Sequence, residues 1–65
     1  MNPQLDPLEI RCLAMAARGL SRSEMVRETD IPHDRIDAAF NHAMEKLQAR
    51  NLAEAIFRAA RIQLI

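Results

Sequence analysis

Cysteine occurs once in this chain of 65 residues, at Cys12, so no internal disulfide can staple the fold and no cysteine-based metal site can form. Glycine also occurs once, Trp and Tyr are absent, and Phe occurs only twice. That poverty argues against a glycine-rich phosphate or catalytic loop and against a β-sheet. Net charge is missing too, with 9 Lys and Arg against 9 Asp and Glu. A zero balance excludes a polybasic chain that clings to any nucleic acid or membrane, although a local basic patch remains open. No uncharged run is long enough to span a bilayer. The polar opening from Met1 to Asp6 lacks the basic-then-apolar order of a signal peptide. We therefore expect no membrane partner and a cytoplasmic location. What is present is Ala, Leu, Ile and Met, within a hydrophobic share of 49%. That supply favours packed helices. A chain this short buries only about 60% of its unfolded surface, so a single core is marginal and dimerisation is the expected support.

Helix signals punctuate the chain. Asp6 as N-cap, Pro7 at the first helical position and Glu9 three residues after the cap predict a helix running to about Arg18. Gly19 then supplies a left-handed stop, and Leu20 can fold back. Cys12, Leu13 and Ala16 form the predicted inward stripe. Arg11, Ala14 and Arg18 point outward, and Leu8, Ile10 and Met15 lie on the flanks. Ser21 and Glu24 make a second capping box, opening a short helix with Met25 and Val26 inward and an end near Glu28 or Thr29. Asp30 falls where a left-handed turn residue is needed, which Asp tolerates better than most. A third helix is expected from Pro32 or His33 to about Gln48. It buries Ile36, Ala39 or Phe40, Ala43, Met44 and Leu47 at i, i+3, i+4 spacing. A fourth, capped by Asn51, runs from Leu52 to about Ile62. One of its stripes, Leu52, Ala55, Ile56 and Ala59, docks it on the core. A second stripe, Ala53, Phe57, Ala60 and Leu64, is left over and predicts a homodimer through this helix.

The reading is one all-α domain over residues 1–65, with a helix-turn-helix across 21–48 and a dimerisation helix across 51–65. Two capped helices joined by a short turn, the second longer and amphipathic, have the form in which the second helix enters the DNA major groove. The residues themselves sharpen this. Leu5-Asp6-Pro7-Leu8-Glu9, Gly19-Leu20-Ser21-Arg22-Ser23-Glu24-Met25-Val26, Lys46-Leu47 and Arg50-Asn51-Leu52-Ala53-Glu54-Ala55-Ile56 resemble segments of the LuxR-type (GerE-like) DNA-binding domain. The likeness covers essentially the whole chain without a gap. Sigma-factor region four shares the first three helices, but the segment from Asn51 and the last helix favour the LuxR type. The resemblance implies a stand-alone, four-helix transcriptional regulator that binds double-stranded DNA as a dimer, with no cofactor and no catalysis.

It also implies site residues. The base-facing positions of the recognition helix become Asp34, Arg35, Asp37, Ala38 and Asn41. Ser21, Arg22 and Ser23 fall near the phosphate backbone, and Arg27, Lys46 and Arg50 are further candidate phosphate contacts. The chain departs from the family where Lys, Thr and His or Arg usually face the groove, where Thr29 replaces a Leu, and where Asp30 replaces a Gly. Between Asp30 and Glu45 stand four acids against one base, Arg35, and acids on the groove side oppose phosphate attraction. The alternative is a protein-interaction module that kept the fold, lost DNA binding, and modulates a full-length regulator or RNA polymerase. Leu8 and Ile10, as exposed apolar residues, would suit it.

Plainer readings stand beside these. Asp34 and Asp37 can be a solvated face that matches the helix dipole. Cys12 reads as a core thiol, the Met residues as fillers, and Asp6, Glu9, Ser21 and Glu24 as caps. His33 and His42 lie on different faces of one helix, so no metal site is expected. No nucleophile, base and pocket come together in the sequence, so no enzyme activity is expected.

Overall fold

The computed structural model describes residues 4–65; Met1 to Pro3, the first part of the polar opening, lie outside the described residues. Four helices follow in order: α1 (Pro7–Ala17), α2 (Arg22–Thr29), α3 (His33–Leu47) and α4 (Leu52–Arg61), with no strand among the described residues. The caps explain the boundaries. Glu9 N–H donates to Asp6 Oδ1 at 2.8 Å, and Asp6 N–H donates to Glu9 Oε1 at 3.0 Å. Ser21 and Glu24 repeat the box at the start of α2, at 3.2 and 2.8 Å. Asn51 Oδ1 accepts from the Glu54 N–H at 2.8 Å. Each satisfies amide donors that a helix start leaves unpaired. The α3 start differs, because Pro32 occupies the cap and makes no side-chain cap bond.

The stops are equally local. After α1, Gly19 has φ +89°, and the Leu20 N–H reaches back to the Met15 carbonyl at 3.2 Å. Leu20 packs on the core from there. Asp30 ends α2 with φ 59°, and Gln48 ends α3 with φ 54°. Thr29 uses its hydroxyl twice. It donates to the Met25 carbonyl at 2.7 Å and accepts from the Ile31 N–H at 3.1 Å.

Helix α3 is the hub, packed against α1, α2 and α4, while α1 also meets α4. Its Ile36, Ala39, Phe40, Ala43 and Leu47 join Cys12, Leu13 and Met15 of α1, Met25 of α2, and Ala55 and Ala59 of α4. Phe40, Leu13, Met25 and Ile36 are fully buried, each contributing roughly 1.5–3 kcal/mol. Ala55 and Ala59 are small enough to bring the α4 backbone close to its neighbours.

Several placements differ from the periodicity reading, among them Met44, which is only partly buried. Met15, expected on a flank, is buried, and Ala16, expected inward, is only partly so. The buried face of α1 is turned toward the Cys12 and Met15 row because α1 is covered by both α3 and α4. Leu8 packs on the core, and Ile10 is half-buried, so neither is the exposed apolar surface that was expected. Leu64 leaves the outward stripe. The helix ends at Arg61, Gln63 turns left-handed at φ 61°, and the Leu64 N–H bonds the Ala59 carbonyl at 2.9 Å, so Leu64 folds back on the core. Glu9, a cap residue, is also buried, with only 2% of its surface exposed.

Candidate nucleic-acid interface

The short α2, the turn at Asp30 to Pro32, and the longer α3 set two helices in the order a helix-turn-helix requires. With about 100° per residue, Asp34, Ala38, Asn41 and Glu45 share the side of α3 that faces away from the core. Arg35, His42 and Lys46 form a second row along one edge. Asp34, Arg35 and Asn41 are exposed, whereas Asp37 and Ala38 are half-buried. Asp34 Oδ1 accepts the Arg35 N–H at 3.0 Å, a local bond at the helix start. The side chains of Arg35 and Asn41 make no hydrogen bond among the described residues, and they are the exposed polar groups of α3 best able to meet a partner.

Two of the predicted phosphate contacts are engaged within the chain. Arg22 Nε donates to Asp37 Oδ1 at 2.7 Å, and its guanidinium carbon sits 4.3 Å from the centroid of the Phe40 ring. Arg22 therefore covers the core aromatic with its charged head while pairing with a predicted base-facing residue. His33 Nδ1 lies 3.1 Å from the other oxygen of Asp37. The Arg22 hydrogen bond, helped by the charge of His33, holds the Asp37 carboxyl below its ordinary range. The second engaged residue is Lys46. Its Nζ donates to Glu9 Oε1 at 2.7 Å, and His42 Nδ1 lies 4.0 Å from Glu9 Oε2. His42, Glu45 and Lys46 line a shallow hollow over this pair.

The remaining phosphate candidates are less constrained. Ser23, Arg27 and Arg50 are exposed, and neither arginine forms a salt bridge among the described residues. Ser21 Oγ is committed to capping α2, where the Ser21 amide and hydroxyl hold the Glu24 carboxyl below its usual range. On α4, Ala53 and Ala60 are exposed, and Phe57 is the one exposed large hydrophobic residue of the described chain, at 60%. Arg61 lies over its ring at 5.8 Å, and Arg58 pairs with Glu54 at 3.6 Å. This patch is therefore apolar at its centre and basic at its rim, and it is one residue shorter than predicted because Leu64 turns away.

Sequence reasoning missed the Glu9–Lys46 pair. A signal existed, since Glu9 precedes Leu13 by four residues and Ala16 by seven, in phase with the inward stripe. The Arg22–Asp37 pair carries no such signal, because it spans 15 residues between two helices. No group of three or more His, Cys, Asp or Glu among the described residues is placed to hold a metal ion. No family model matches the chain, and no curated protein matches it.

Proposed function

We propose that this chain is a small transcriptional regulator of the LuxR-type helix-turn-helix class, binding double-stranded DNA as a dimer in the cytoplasm. The observation that carries this reading is the α2–turn–α3 unit, with Asn41 exposed on the outward side of the longer helix and Arg35 exposed along its edge. Arg suits guanine and Asn suits adenine in the major groove. Arg27 and Arg50 remain exposed for phosphates, and Ser21, Arg22 and Ser23 lie at the start of the helix that crosses the backbone in such motifs. Phe57, flanked by Ala53 and Ala60, is the proposed centre of the dimer contact. The reading needs no cofactor and no catalysis.

A second reading has its own support. Arg22 and Lys46 are tied to carboxylates, and α3 presents Asp34 and Glu45 beside Arg35. A helix-turn-helix fold in that state suits a protein-interaction module that pairs through α4 with a full-length regulator or RNA polymerase. A titration of labelled genomic DNA fragments over a range of salt separates the two. Selected binding with steep salt dependence supports the regulator. No binding at low salt refutes it and favours the module.

A further inference from the structure

Two residues nominated for DNA contact are bound to each other, and this changes what each can do. Arg22 opens α2, directly after the Ser21 cap, where the first helix of such a pair crosses a phosphate backbone. Its guanidinium lies over Phe40 and donates to Asp37 at 2.7 Å. A carboxylate in that position offers the guanidinium what a phosphate oxygen would offer, an anionic acceptor within a charge-assisted hydrogen bond. Asp37 is itself held from its other oxygen by His33 at 3.1 Å, so it is aimed at Arg22 and not at the outer side of α3. Asp37 is half-buried, as is Arg22, while neighbouring Asp34 is exposed and accepts only the Arg35 amide.

We propose that Asp37 is an intramolecular phosphate mimic that latches Arg22, so that Asp37 restrains DNA binding instead of reading a base. The proposal rests on the DNA-binding reading above and names a regulation of that same surface. A phosphate takes Arg22 only by displacing Asp37, and a polyanion does so more readily than a free anion because its other contacts hold the phosphate in place. The pair thereby sets a threshold: weak encounters leave the latch shut, and encounters that seat the rest of α2 and α3 open it. The sequence row of acids on α3 is thus not uniform. Asp34 and Glu45 act through their charge alone, and Asp37 acts through one named partner.

The test is a set of binding curves on a labelled duplex of mixed sequence, read by anisotropy across a salt series. The proteins are the wild type, Asp37→Asn, Asp34→Asn, Arg22→Ala and the Arg22→Ala/Asp37→Asn double variant. Freeing Arg22 should raise affinity about three- to five-fold at low salt and steepen the salt slope by about one unit, the signature of one more phosphate contact. Asp34→Asn removes the same charge without touching Arg22, so it should raise affinity less and leave the slope alone. The double variant should lose the gain. Equal gains from Asp34→Asn and Asp37→Asn, or a gain that survives without Arg22, overturns the latch while leaving DNA binding intact. If wild type binds and Asp37→Asn gains nothing, the latch fails in the same way. If no protein in the set binds, the DNA-binding reading itself fails, and the latch with it. Should Asp37→Asn unfold, the wild type still decides: the Arg22 Nε–H resonance must move when the duplex is added, and an unmoved resonance in a protein that binds overturns the proposal.

Discussion

Replacing Lys46 by Met tests how the fold manages the buried carboxylate of Glu9. Glu9 is 2% exposed, and its Oε1 accepts from both the Asp6 amide and Lys46 Nζ. Methionine keeps the stem length that packs beside α1 but removes the cation. Breaking a fully buried pair by deleting one partner costs about 3–5 kcal/mol, and a surface pair is worth about 0.2–1 kcal/mol. This pair lies between those limits, because the Lys46 side chain is 38% exposed and Glu9 keeps its cap bond. We therefore expect a loss of about 2 kcal/mol, or a fall in Tm of roughly 8–16 °C for a domain of this size. Glu9→Gln behaves differently. Glutamine still serves a capping box and leaves no buried charge, so its cost should be about 1 kcal/mol or less. Adding Glu9→Gln to Lys46→Met should then recover part of the loss, which simple additivity does not allow. Urea and thermal unfolding of the three variants, followed by circular dichroism, measure this. A Lys46→Met protein within about 0.5 kcal/mol of wild type would show that water reaches Glu9, and the reasoning fails.

Other consequences follow from single contacts. Phe57→Glu should abolish self-association in sedimentation without unfolding the chain, since Phe57 is exposed; a variant that stays dimeric refutes the α4 interface. Asp30→Gly should stabilise the fold by about 0.5–1 kcal/mol, because Asp30 occupies a left-handed conformation at φ 59° that glycine adopts without strain; a loss of stability in urea unfolding would mean that its side chain matters. Cys12 is fully buried, and burial pushes its thiol up from 9.0, so a thiol reagent should label it only as fast as the chain opens. Rapid labelling of the folded protein contradicts the packing of α1. The Asp37 carboxyl is held below 3.8 by Arg22, so its contribution to stability is complete above the pKa of the unfolded chain and drains away as pH falls through the depressed folded value. Asp37→Asn should remove that part of the acid dependence, and an unchanged acid unfolding curve counts against the pair.

The local features of this fold were legible before the structure. Asp6, Ser21 and Asn51 cap helices, Gly19 and Asp30 turn left-handed, and the i, i+3, i+4 spacing in α3 marks its buried face. All of these depend on neighbours within a few residues. What was not legible depends on how helices lie against one another. Met15 is buried because α1 is covered from two sides, and Leu64 folds back because α4 stops a turn before it. Glu9 was read as a cap from its spacing, yet its burial needs Lys46 from a helix 37 residues away. The candidate site suffers most from this limit. Position along α3 nominates Asp37 for DNA, and position at the start of α2 nominates Arg22, but their side chains answer to each other.

In the proposed regulator, α3 reads DNA through Asn41 on its outward side and Arg35 along its edge. The most direct measurement selects the preferred fragment from a genomic pool with the wild-type protein, then competes it against unrelated duplex for wild type, Arg35→Ala and Asn41→Ala. Each substitution should remove about 1–3 kcal/mol of discrimination between the two duplexes. Discrimination unchanged in both variants, or a wild-type protein that selects no fragment at low salt, would contradict it.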